Sequence, residues 1–189
     1  MKSIFTLTTA TILLISTQSL WAEKGSKGSH DKEYRQNSTI STTLTDDNTT
    51  QLYITECASC HMAYQAEFLP KRSWKKMMLT LEDHFGTDAS LDQNESAQIE
   101  AYLLRHASDA KKSYGEFAEI SEGIRDDETP LRISETRYFK KEHREIKKQL
   151  IEQKEVKSIA NCTACHTKAD KGDYSERNIV IPNYGKWDD

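Results

Sequence analysis

From about residue 51 onward, apolar side chains recur every three or four positions, the period of helices buried along one side. Leu52, Tyr53, Cys57, Cys60 and His61 share such a stripe and predict a helix of about three turns. Ser73 is expected to cap a second, with Trp74, Met77, Met78, Leu81, His84 and Phe85 on one face and Gly86 as its stop. A third starts near Asp92 and buries Ile99, Tyr102 and Leu103. After a linker around Ala107 to Lys112, Phe117, Ile120 and Ile124 predict a short fourth helix, and the run Asp126 to Pro130 breaks the pattern. Ser134 or Thr136 then caps a helix striped by Phe139, His143, Ile146 and Leu150. A last helix is expected from about Ser158 to Lys171, ending at Gly172. No segment alternates convincingly as a strand would, and 178–189 has no strong pattern. The fold class predicted is all-α.

The start of the chain reads differently. Lys2 precedes an apolar stretch from Ile4 to Leu20, and Leu20-Trp21-Ala22 resembles a signal-peptidase site, so residues 1–22 are expected to be a cleaved signal peptide. An uncleaved anchor is the alternative, but the stretch is short and diluted by threonines and serines. Residues 23–50 offer only Tyr34, Ile40 and Leu44 as sizeable apolar groups and read as a flexible polar arm. The remainder divides into two small halves, 51–112 and 113–189, each too small to be stabilised by side chains alone. Removing 1–22 takes one of 26 basic side chains and none of 30 acidic ones, leaving a formal charge of −5. That balance argues against nucleic acid as a partner, since its recognition needs a basic face.

Four cysteines occur, and all fall in two copies of Cys-x-x-Cys-His: Cys57-Ala58-Ser59-Cys60-His61 and Cys162-Thr163-Ala164-Cys165-His166. This pattern marks covalent attachment of c-type haem, the two thiols adding to the porphyrin vinyl groups and the histidine binding iron. A four-cysteine zinc site uses similar pairs, but normally within tens of residues, and here the pairs are far apart. Zinc, a disulfide pair and a thioredoxin-like motif all leave unexplained why histidine follows both times.

Six histidines are present, and His61 and His166 belong to the motifs. His30 falls in the polar arm and reads as solvated. His106 reads as an ordinary partly buried histidine near a helix end, with Asp109 as a polar neighbour. His84 follows His61 by 23 residues and His143 precedes His166 by 23, a mirrored arrangement that makes both candidates for the far side of each iron. Met62, Met77 and Met78 compete for the first iron; Met62 adjoins His61 on the wrong side, and the other two read as core fillers.

Pro70-Lys71-Arg72-Ser73-Trp74, Met77-Met78, Leu81 to Gly86, Thr129 to Ile133, Tyr138-Phe139 and Glu142 to Ile146 together resemble the bacterial dihaem cytochrome c family, small periplasmic electron-transfer proteins. The resemblance spans about Leu52 to Ile181. It implies bis-histidine ligation of both haems, with His84 and His143 at the far positions, and a first domain similar to class I cytochromes c. The arm at 23–50 and the tail Tyr184-Gly185-Lys186-Trp187 stand outside it.

Two saturated irons have no open position for substrate, so outer-sphere electron transfer is expected rather than catalysis. A peroxidase-like enzyme would need one open haem, and a haem subunit of a periplasmic reductase is a third reading. Histidine in place of methionine lowers the potential, because the thioether favours Fe(II). The expected partner is another redox protein, a membrane b-type cytochrome or a soluble haem protein. The cations Lys140, Lys141, Arg144, Lys147, Lys148, Lys154 and Lys157 form one possible doorway, and Lys71, Arg72, Lys75 and Lys76 another.

Overall fold

The computed structural model describes residues 48–110 and 116–187, all within one compact unit, Asn37–Asp189. The expected signal peptide, His30 and the polar arm as far as residue 47 lie outside the described residues. Six helices follow: α1 Asn48–Cys57, α2 Lys71–Met78, α3 Gln93–His106, α4 Glu116–Glu122, α5 Arg137–Glu142 and α6 Lys148–Ile151. The fold is helical, as expected. A two-residue antiparallel hairpin is added near the end, β1 Val180–Ile181 on β2 Gly185–Lys186, in register Val180 with Lys186.

α3 is the centre of the first half and packs against both α1 and α2. The Asp92 carboxylate accepts from the amides of Asn94 and Glu95 at 2.8 and 2.9 Å, so α3 starts where the sequence placed it. Tyr53 of α1 stacks on Tyr102 of α3 at 5.2 Å, over a core of Leu69, Trp74, Ile99 and Leu103. The Trp74 indole N–H donates to the Ala66 carbonyl at 2.7 Å, satisfying a buried acceptor. Phe117 and Ile120 of α4 extend the same core, Phe117 lying 5.4 Å from the Phe68 ring.

Elsewhere the helices are shorter than periodicity predicts. α1 begins inside the expected arm, at Asn48, with Thr50 buried, and ends at Cys57, so Cys60 and His61 lie in the turn beyond it. α2 starts after Pro70, whose fixed φ of −73° suits a helix entrance; Ser73 is buried inside the helix instead of capping it. It stops at Met78, where the Thr80 hydroxyl donates to the carbonyls of Lys76 and Met77. His84 therefore follows a separate 3-10 turn, Leu81–Asp83, and Phe85 (φ 56°) and Gly86 (φ 91°) reverse the chain.

The second half departs further. Thr136 caps α5, accepting from the Phe139 amide at 3.3 Å, but the helix ends at Glu142 and His143 is its C-cap. Ile146 and Leu150 consequently lie outside α5. The helix expected at 158–171 is replaced by two 3-10 turns, Cys162–Ala164 and Ala169–Lys171; Gly172, with φ 72°, ends the second.

Two substitutions test this packing. Thr136→Ala should lower unfolding stability by about 1 kcal/mol through loss of the cap. Trp74→Phe should cost about 1–3 kcal/mol, because the Ala66 carbonyl is left buried without a donor. Denaturant midpoints should fall with an unchanged slope; midpoints at the native value would remove these contacts from the stabilising set.

Candidate functional site

Two cavities flank the centre of the unit, and each brings together one Cys-x-x-Cys-His motif and one further histidine. The first holds Cys57, Cys60, His61 and His84, which the end of α1 and the turn after α2 deliver from opposite sides. The second holds Cys162, Cys165, His166 and His143, the last delivered by the end of α5. His84 and His143 each stand at the residue that closes a 3-10 turn or helix, and from there their rings line the cavities.

The histidine pairs match one another. The rings of His61 and His84 are 6.1 Å apart between centroids, with planes inclined by 25°; those of His143 and His166 are 6.0 Å apart, inclined by 58°. A metal–imidazole bond is about 2 Å, so two such bonds plus the ring radius at each end span about 6 Å. The separations thus fit one iron between each pair. Among the described residues no three His, Cys, Asp or Glu side chains are grouped as a lone metal ion would need.

Main-chain carbonyls set the tautomer of His61 and His143. His61 Nδ1 lies 2.7 Å from the Met62 oxygen, and His143 Nδ1 lies 2.9 Å from the Phe139 oxygen. A carbonyl only accepts, so each Nδ1 carries the proton and Nε2 keeps the lone pair that iron requires. Burial also favours the neutral ring. It lowers the pKa of His143, and that of His166 to about 4, where neighbouring His143 adds to the effect. At His84 burial is joined by His61 and Arg132. Burial also pushes the thiols of Cys57 and Cys162 up to about 11 and raises that of Cys165.

His106 lines neither cavity; its ring stands 4.8 Å from that of Tyr102 on the last turn of α3. Met77 and Met78 line the first cavity. Arg132 lies 3.8 Å above the centre of the Phe85 ring, itself 4.8 Å from the His84 ring, placing a cation beside the first site.

The cavities meet. Ile133, Phe139 and Cys162 line both, so an attachment cysteine of the second motif forms part of the wall of the first site. Tyr64 packs 4.9 Å from the His61 ring and donates to the Ala160 carbonyl at 2.8 Å, two residues before Cys162. Gln65 is fully buried, donates to the Ala169 carbonyl at 2.9 Å and accepts from the Tyr174 hydroxyl at 2.5 Å. Tyr174 in turn sets the edge of its ring against His166 at 5.3 Å. Sequence reasoning missed Tyr64, Gln65 and Tyr174, since partners about a hundred residues away leave no periodic signal. A glutamine between Tyr64 and Ala66, in a largely apolar run, was the sole hint.

Comparison with known proteins gives the family of the chain. A family model described as dihaem cytochrome c matches residues 53–174, spanning both motifs, His84 and His143. The diheme cytochrome c from Rhodobacter sphaeroides is 43% identical, with 68% of this chain and 95% of that one covered and a TM-score of 0.60. The diheme cytochrome type c from Shewanella baltica OS155 is 34% identical, with 75% and 100% covered and a TM-score of 0.61. No curated protein matches the chain. The family model covers well over half of the sequence and two solved relatives exceed a third in identity over most of it, so this chain belongs to the dihaem cytochrome c family, whose members take two haem c groups with their irons.

Proposed function

We propose that this protein is a periplasmic electron carrier in which His61 with His84, and His143 with His166, hold the two irons from both sides. Cys57 and Cys60, and Cys162 and Cys165, would form the thioether links. The observation that carries the reading is the pairing itself: each cavity contains one attachment motif and one histidine at the separation that two iron–nitrogen bonds require.

Bound haem supplies one-electron exchange between Fe(III) and Fe(II). The chain's own part is to favour the neutral rings of His84, His143 and His166 by burial, to fix His61 and His143 through carbonyls, and to fill both coordination positions so that no substrate binds. Rigid ligands also suit fast transfer, since little must move when the charge on iron changes. The site favours a carrier over an enzyme, which would need an open iron. The periplasmic assignment rests on the signal-like residues 1–22 and on the attachment motifs; among the described residues no helix is long and apolar enough to cross a membrane.

The partner in this reading is another redox protein. Both basic stretches weighed from sequence are partly engaged within the chain. Arg72 donates to the carbonyls of Glu128 and Arg125, while Lys141, Arg144 and Lys148 pair with Glu142, Glu145 and Glu152. Those pairs are exposed and individually weak and leave exposed cations in both stretches, Lys75 and Lys76 in one and Lys140, Lys147, Lys154 and Lys157 in the other; the latter flank His143 in the chain, which makes the second site the proposed doorway for an acidic partner.

The intact mass should exceed that of the processed polypeptide by two haems, and the haem should survive denaturation; one haem would overturn the attachment scheme. His84→Ala and His143→Ala should each convert one low-spin haem to high spin and open it to carbon monoxide, whereas the native protein should refuse carbon monoxide and His106→Ala should leave the spectrum unchanged. A far-red Fe(III)–thioether band in the native protein would transfer the first ligand to Met77 or Met78. Electron exchange with the partner should slow as salt rises and slow further in Lys147→Glu; salt-independent rates would remove the charged doorway.

A further inference from the structure

The two histidine pairs differ in ring geometry, and the second carries an aromatic neighbour stacked on one of its rings. Phe139 lies face to face with His143, ring centroids 3.8 Å apart and planes within 9°. Its carbonyl accepts from both the His143 amide, at 3.0 Å, and the His143 Nδ1, at 2.9 Å. Its own amide is held by the Thr136 cap at 3.3 Å. The Phe139 ring is buried and forms part of the wall of both cavities, so it has little room to retreat.

The first pair is held differently: Tyr64, anchored through its hydroxyl on the Ala160 carbonyl, lies 4.9 Å from the His61 ring but is tilted by 32° rather than stacked face to face. His61 is exposed and its Nδ1 bonds only to the next residue, Met62. The ring beside His84 is Phe85, which is itself exposed and tilted by 59° rather than stacked. The planes of His61 and His84 are inclined by 25°, those of His143 and His166 by 58°.

We propose that Phe139 is a positioning residue that fixes the plane of the His143 imidazole and thereby makes the second iron site electronically unlike the first. The inference rests on His143 being an iron ligand, as read above. Coordination leaves an axial imidazole one free torsion, rotation about its bond to the metal. A ring stacked on one face blocks that rotation, and the carbonyl on Nδ1 defines the remaining angle. The angle matters because an imidazole donates π density into the iron d orbital that lies perpendicular to the ring plane. Two rings near one plane act on the same orbital and split it from its neighbour. Strongly inclined rings act on both and leave the two nearly equal in energy. The ligand planes therefore alter the magnetic anisotropy of low-spin Fe(III) and the potential of the site.

The experiment is electron paramagnetic resonance of the frozen, oxidised dihaem protein, with a potentiometric titration of each variant. The native protein should show two distinct low-spin signals, the one with the higher maximum g value arising from the second haem. Phe139→Leu should move that signal to a lower maximum g value, broaden it and shift one midpoint potential, leaving the other signal and potential in place. Phe139→Tyr, which keeps the stacked face, should restore native values. Two native signals with the same maximum g value would overturn the proposal without any variant. A folded, low-spin Phe139→Leu protein with both native signals and potentials would also overturn it. His143→Ala distinguishes the two failures: if it leaves both haems low spin, the ligand reading has failed and the proposal with it; if it makes one haem high spin while Phe139→Leu changes nothing, only the role of Phe139 has failed.

Discussion

Holding two imidazoles about 6 Å apart, twice, across two cavities that share a wall is the constraint that shapes this molecule. A helix cannot present a histidine to a pocket beyond its own end. Each of His61, His84 and His143 instead stands just past a helix or a 3-10 turn, and His166 follows a 3-10 turn. At the end of α5 a carbonyl of the last turn accepts from the imidazole that follows it. The Phe139 carbonyl does so for His143, so one oxygen both closes α5 and sets a tautomer.

The short helices follow from the same demand. Isolated helices of six or four residues have no stability in water, and α5 is anchored by its one buried side chain, Phe139, while α6 has none buried and leans on the half-buried Leu150 and Ile151, which line the second cavity. Thr136 at the start of α5 and Thr80 after α2 act at opposite ends, one supplying an acceptor to a free amide and the other supplying a donor to free carbonyls. Both are local competitions between side chain and backbone, decided within four residues.

The halves are joined through buried polar contacts as well as apolar ones. Gln65 reaches the Ala169 carbonyl and the Tyr174 hydroxyl, and Tyr64 reaches Ala160. Such contacts are costly when left unpaired and tolerate little displacement, so they specify how the two sites face one another. Phe68 adds the apolar counterpart, touching Phe117 on one side and Tyr174 on the other. Around this junction the cavities share Ile133, Phe139 and Cys162, which brings the two sites close without a separate linking element.

The sequence by itself determined what depends on covalent pattern and short-range periodicity. The paired motifs announced two c-type haems, the 3.6-residue period announced helices, and α3 began at the expected Asp92 and buried the expected Ile99, Tyr102 and Leu103. The offset of 23 residues also singled out the two histidines that the fold then brought opposite His61 and His166. Tertiary structure decided where the helices stop. A stripe such as Phe139, His143, Ile146 and Leu150 is equally compatible with one long helix and with two short ones, and only packing around the cavity selects the second. It alone also decided the inclination of the ring planes, the stack of Phe139 on His143 and the bonds from Gln65 to the far end of the chain. Those features depend on groups that sequence separates and only the folded chain brings together.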